Sequence, residues 1–166
     1  MSQSRSSFSV TKDGRYQFDE PVSRETLVAI SQSIIREKFS RLDTLRSSDD
    51  SKEFVKSEIG DEDKEVFLCI FLDNKNGVIS SEILFTGTVS QASVYTREVV
   101  KRALELNAVA LIVAHNHPSG DSEPSHADIK ITTRLKHALA LVDIRVLDHL
   151  IVGGDGTSSL ANLGHL

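Results

Sequence analysis

Val66-Phe67-Leu68-Cys69-Ile70-Phe71-Leu72 is an unbroken apolar run in the middle of the chain. It is short, lacks the in-out alternation of a half-solvated strand, and therefore fits a strand buried on both faces. Covering both faces takes helices, so this one segment commits the chain to α/β layering. Asn74-Lys75-Asn76-Gly77 follows it. Asn-Gly readily adopts the left-handed conformations of a tight hairpin, so a second strand over residues 78–85 should pair antiparallel with the first. A helix should then open at Ser90 and run to Asn107, burying Tyr95, Val99, Ala103 and Leu106. Residues 108–114 read as the next strand. A further helix extends from Ser125 to about Val142 through Ile131, Leu135 and Leu139, before a strand over 145–152 and the turn Gly153-Gly154-Asp155-Gly156. The expected architecture is one α/β domain, a mixed sheet flanked by helices.

At 166 residues and 39% hydrophobic content, the chain is sized for one compact core. Residues 1–20 are polar and Ser-rich without sustained periodicity, which predicts a flexible N-terminal tail. Residues 21–60 read as a helical extension. Ser23 caps a helix carrying Leu27, Ile30, Ile34 and Phe39 on one face, the polar stretch 47–51 interrupts it, and a short helix covers 52–59. The compact domain is expected over 61–166. Cys69 has no partner for an internal disulfide and suits an apolar core. No run is long enough for a signal peptide or a bilayer span, so a cytoplasmic protein without membrane contact is expected. The net charge is −5, and basic and acidic residues balance up to residue 60, so the acidic surplus falls entirely in 61–166. Nucleic-acid binders concentrate positive charge, so direct DNA contact is not predicted. Arg36, Lys38, Arg41 and Arg46 read as a solvated helix face.

The chemistry concentrates in His115-Asn116-His117-Pro118-Ser119-Gly120 and Pro124-Ser125-His126-Ala127-Asp128. In extended backbone alternate side chains share a face, so His115 and His117 project together and Asn116 points away. Pro118 holds the residue before it in extended conformation. Ser125 has the character of an N-cap, which puts Asp128 in the first helical turn, folded back over the strand end. Two imidazoles and one carboxylate form a three-donor set suited to Zn²⁺, with a fourth tetrahedral position left for water. Ser125 and Asp128 also have the spacing of a capping box, a purely structural use of the same carboxylate. Asp121 and His126 are rival donors, although Asp121 beside Gly120 fits turn chemistry.

These residues resemble the metal motif of RadC-type proteins, a branch of the JAMM/MPN zinc metallopeptidase superfamily with a cytidine-deaminase-like mixed sheet. The resemblance runs from about Glu65 to the C-terminus and includes Glu65-Val66-Phe67, Gly87-Thr88-Val89, Arg97-Glu98 and Leu147-Asp148-His149-Leu150-Ile151. It implies zinc held by His115, His117 and Asp128, an oxyanion-stabilising role for Ser125, and a general acid/base at Glu65, with Glu82 and Glu98 as alternatives. The implied activity is hydrolysis of an amide bond in a peptide or protein. Full-length RadC-like proteins also carry a helix-hairpin-helix region, whereas residues 15–59 here contain no glycine to make such a hairpin. Thr96 stands where RadC-like sequences commonly have Pro. The family's association with DNA repair is not carried by these residues. Two other readings use the same motif: a non-catalytic interaction module on this fold, and a non-haem iron enzyme, whose ligands normally come from an all-β barrel. Substrate identity and oligomeric state are not encoded in any motif.

Overall fold

A computed structural model of the chain describes residues 8–11, 15–18, 21–41, 45, 47–87 and 94–166. Within them the elements run β1 (Phe8–Val10), β2 (Tyr16–Phe18), α1 (Arg24–Arg41), α2 (Ser48–Ile59), β3 (Val66–Leu72), β4 (Val78–Thr86), α3 (Thr96–Glu105), β5 (Ala110–Asn116), α4 (His126–Ala140), β6 (Arg145–Val152) and β7 (Thr157–Ser159). The main sheet has the order β4-β3-β5-β6-β7. β3 is antiparallel to both neighbours, β5 and β6 are parallel across the α4 crossover, and β7 returns antiparallel to β6. This is the expected mixed sheet in an α/β domain.

The apolar run explains the layering. Every residue of β3 is buried. Leu68, Ile70 and Leu72 pack with Phe54, Val55 and Ile59 of α2 on one side of the sheet. Phe67, Cys69 and Phe71 pack with Val99 and Ala103 of α3 and Leu135 and Leu139 of α4 on the other. The alternation of side chains along one strand thus builds two cores. Burial raises the pKa of the Cys69 thiol far above its usual range, as befits an inert core residue. The β3–β4 hairpin closes with Asn76 at φ 60° and with the Asp73 carboxylate accepting from the backbone N–H of Lys75 and Gly77, each at 2.8 Å.

Several expectations need correction. Within residues 1–20 the sequence reading anticipated no strand, yet β1 and β2 form a two-stranded antiparallel hairpin, closed by the Thr11 N–H donating to the Arg15 carbonyl at 2.8 Å. Strands this short carry too few residues to show periodicity. α2 begins at Ser48, earlier than expected, because Ser47 caps it and Asp49 and Asp50 sit in its first turn, where the helix dipole favours negative charge. α3 starts at Thr96. The expected start at Ser90 falls outside the described residues, and Tyr95 lies at the cap position, 59% exposed, instead of on the buried stripe. Leu27, expected on the buried face of α1, is 49% exposed. β7 was not anticipated, for the same reason as β1 and β2.

One close approach fixes the end of β6 against the loop that follows β5. A Cβ added to Gly153 would lie 2.6 Å from the Gly120 carbonyl oxygen and 2.6 Å from the Ser122 nitrogen. Both are backbone atoms and cannot swing aside. Gly153→Ala is therefore expected to destabilise the protein by roughly 1–3 kcal/mol, read as a lowered urea midpoint.

Candidate metal centre

β5 carries His115 and Asn116 to the end of the central strand, and parallel pairing with β6 continues to that point, with His115 opposite Ile151 and Asn116 opposite Val152. Beyond the strand, the His117 N–H donates to the Val152 carbonyl at 2.8 Å, which keeps the chain extended through the second histidine. The Gly120 N–H then donates to the His117 carbonyl at 2.9 Å, and Gly120 takes φ 91°, a conformation suited to glycine. As the alternation required, the two imidazoles share a face. Asn116 points to the other side, where its amide accepts from Val66 N–H at 2.8 Å and donates to the carbonyls of Glu62 and Lys64 at 3.0 Å each. The segment leading into β3 is thereby tied to the histidine strand.

The loop returns as α4, capped by Ser125, and places Asp128 over the histidines. Ser125 and Asp128 form a complete capping box. The Ser125 hydroxyl accepts from Asp128 N–H at 3.2 Å, and Asp128 Oδ2 accepts from Ser125 N–H at 2.7 Å. The capping and ligand uses of Asp128 are compatible, because the cap engages Oδ2 and leaves Oδ1 facing His115 Nε2. Oδ1 lies 3.3 Å from His115 Nε2, while Oδ2 lies 3.8 Å from His117 Nε2. The two Nε2 atoms are 2.9 Å apart. Donor atoms of His115, His117 and Asp128 all lie within 4.8 Å of one another.

These donors pass a chemical test for a metal site. The His117 Nδ1 lies 2.7 Å from the Asp121 carbonyl oxygen, which can only accept, so in neutral His117 the proton is on Nδ1 and Nε2 presents a lone pair to the cluster. Asp128 adds carboxylate oxygens. The arrangement collects electron pairs, as a cation requires. Tetrahedral zinc with bonds near 2.0–2.1 Å would hold its donors about 3.3 Å apart, close to the 2.9 Å between the two Nε2 atoms and the 3.3 Å from His115 Nε2 to Asp128 Oδ1. His115 and Asp128 are buried, whereas His117 is partly exposed and Ser125 exposed, so the cluster meets solvent on the His117 and Ser125 side.

The other candidates sort themselves by position. Asp121 uses its carboxylate to accept from Glu123 N–H at 2.8 Å, the expected turn chemistry, and contributes only its backbone carbonyl to His117. His126 is exposed on the first turn of α4. Glu82 lies in β4 opposite Cys69, where Arg102 Nε and Nη2 donate to its two carboxylate oxygens at 2.8 and 2.7 Å. Those hydrogen bonds hold its carboxyl below the ordinary range. Glu98 accepts from its neighbour Arg97 at 3.0 Å. Glu65 immediately precedes β3. At this end of the β3–β5 pairing the last registered pair is Phe67 with His115, two residues beyond Glu65. Its own carbonyl accepts from Gly87 N–H at 2.8 Å.

Two neighbours were not singled out by role from the sequence. His149 of β6 is fully buried behind the cluster, with Nε2 2.8 Å from His115 Nδ1, and Thr132 of α4 lies 2.5 Å from His149 Nδ1. Phe67 packs against both rings, stacked on His115 and edge-on to His149. A usable signal existed in Asp128 and Thr132, four apart on one helix, and in the Asp148-His149 pair.

An α/β domain with a His-His-Asp donor cluster that could hold a metal ion, at the end of its central strand, is the arrangement of a JAB-type domain. The chain matches the RadC-like JAB domain family over residues 45–165 and belongs to it. It is 49% identical over 155 residues to a UPF0758 protein of Vibrio cholerae, spanning 93% of this chain and 98% of that one. It is 51% identical over 143 residues to a UPF0758 protein of Vibrio atlanticus and 50% identical over 143 residues to one of Vibrio campbellii. In both cases the match spans 86% of this chain and 64% of the longer relative.

Burial lowers the pKa of His115 to about 4, with the Asp128 charge opposing and His117 reinforcing the shift. Burial likewise pushes His149 well below its usual value. Between the ordinary histidine value and these folded values, the unfolded chain binds protons that the native state refuses, so stability rises with pH across that window. The metal-free protein should lose stability as pH falls from about 6.5 toward 4, and His149→Phe should flatten that slope. Urea midpoints measured from pH 7 to pH 4.5 check both.

Proposed function

We propose that this protein is a zinc-dependent metallohydrolase that cleaves an amide bond, peptide or isopeptide, in a polypeptide substrate within the cytoplasm. The observation that carries the reading is the convergence of His115, His117 and Asp128 donor atoms within 4.8 Å, with His117 partly exposed. Two neutral nitrogens and one carboxylate suit zinc, and three protein ligands with an open position are the pattern of catalytic zinc sites. Zinc bound there would supply Lewis acidity, polarising a carbonyl and bringing the pKa of water toward neutrality.

The protein's own groups then have defined tasks. Asp128 and the two histidines hold the metal, and Asp128 does so from a helix turn whose cap it completes. Ser125 accepts from Asp128 N–H, which leaves its own hydroxyl proton to donate to a substrate carbonyl oxygen as negative charge develops. Glu65, just before β3, takes a proton from the attacking water and returns it to the leaving amine. The ion pair with Arg102 withdraws Glu82 from that task. The mixed α/β sheet speaks against the non-haem iron reading, whose ligands belong to all-β barrels. No helix among the described residues is long and apolar enough to cross a membrane.

Replacing Glu65 with Gln should lower kcat by about 10²–10⁴-fold while leaving zinc stoichiometry unchanged, read with a peptide-amide substrate found by screening the zinc-loaded protein. Unaltered turnover would remove Glu65 from the mechanism. Zinc retained with no turnover in either protein, together with an intact biological role, would favour the interaction-module reading.

A further inference from the structure

We infer that Thr132 and His149 form a relay that sets the tautomer of His115, so that its Nε2 lone pair is turned toward the metal centre. The inference rests on the reading of His115 and Asp128 as metal ligands, and it assigns a positioning role to two residues that touch neither metal nor substrate.

Protons along the relay can be placed one by one. The Thr132 hydroxyl oxygen lies 2.6 Å from the Asp128 backbone carbonyl oxygen, both buried. Two oxygens that close repel unless a proton lies between them, and only the hydroxyl has one, so Thr132 donates to Asp128. The hydroxyl proton is then spent. His149 Nδ1, 2.5 Å from the same oxygen, must therefore be the donor in that contact. A neutral imidazole with its proton on Nδ1 has a lone pair on Nε2, and His149 Nε2 lies 2.8 Å from His115 Nδ1. His115 consequently donates from Nδ1, and its Nε2 is left bare, 2.9 Å from His117 Nε2 and 3.3 Å from Asp128 Oδ1.

The chain begins and ends on metal-ligand residues. Asp128 offers its carbonyl to start the relay and a carboxylate oxygen to the cluster, and His115 receives the relay and offers Nε2 to the same cluster. Helix α4 and strand β6 supply the two middle members, with Phe67 packed against His149 and His115 to hold the rings in place. His115 and His149 are buried, so water has little access to replace a lost partner. His117 has its tautomer set separately, by the Asp121 carbonyl. Both histidines are thus directed, one by a loop carbonyl and the other through two side chains. Loss of such outer partners commonly weakens metal affinity about 10–100-fold.

Thr132→Val keeps the shape and removes the hydroxyl, whereas Thr132→Ser keeps the hydroxyl. Without its acceptor, His149 gains by moving its proton to Nε2, which drives the His115 proton onto the nitrogen the metal needs. Zinc affinity measured by chelator competition should fall about 10–100-fold in Thr132→Val and return to near the wild-type value in Thr132→Ser. Nitrogen-15 imidazole spectra of metal-free wild type should show protons on Nδ1 of both His115 and His149, with the His115 proton shifted to Nε2 in Thr132→Val. Wild-type spectra with His115 protonated on Nε2, or a folded Thr132→Val with unchanged affinity and tautomers, would overturn the relay. Failure of the wild type to bind zinc would instead defeat the metal-centre reading, and the spectra would still decide the relay.

Discussion

The structure turns on a group of electron-pair donors made to face one another where water is scarce. His115 Nε2, His117 Nε2 and the Asp128 carboxylate lie within hydrogen-bonding distance or slightly beyond, yet the hydrogen bond from His117 Nδ1 to a carbonyl leaves its facing nitrogen without a proton. Buried acceptors set against one another are costly unless a proton or a cation lies between them. A divalent metal satisfies all three together. Much of the local structure serves to hold these atoms in that arrangement: the extended passage through His117, the glycine turn at Gly120, and the capping box at the start of α4.

The sheet makes the arrangement rigid. β5 is flanked by β3 and β6, and its last two residues serve opposite faces. His115 joins the layer under α3 and α4, while Asn116 binds the backbone from Glu62 to Val66 on the other side. The strand end that presents His115 is therefore also the one that anchors the backbone leading into β3. The packing of Gly153 against Gly120 and Ser122 closes the third side. Rigid first-layer geometry of this kind is what a catalytic metal requires, since small displacements of a ligand cost affinity and rate.

Legibility in the sequence followed the strength of local signals. The β3 run, the Asn76-Gly77 turn and the helix after Ser125 are dominated by short-range preferences, and the structure reproduces them closely. The convergence of His115, His117 and Asp128 was readable because alternation in a strand and a cap on a helix each dictate side-chain direction within a few residues. Three-residue strands were not readable, since no period can develop over so few residues. Tyr95 misled because helical phase was extended into a cap residue, and Leu27 because an apolar residue on a peripheral helix need not be covered. The link of His149 and Thr132 to His115 was harder to read than their local signals, because it spans 34 and 17 residues and exists only after β6 pairs with β5.

Anomalous diffraction from crystals of the zinc-reconstituted protein, recorded at the zinc edge, bears most directly on the central claim. A single strong peak is predicted, about 2.0–2.2 Å from His115 Nε2, His117 Nε2 and an Asp128 carboxylate oxygen, with the remaining coordination position facing the solvent side where Ser125 lies. A reconstituted protein with no peak among these three residues, or with zinc bound elsewhere while they keep to hydrogen bonds with one another, would contradict it.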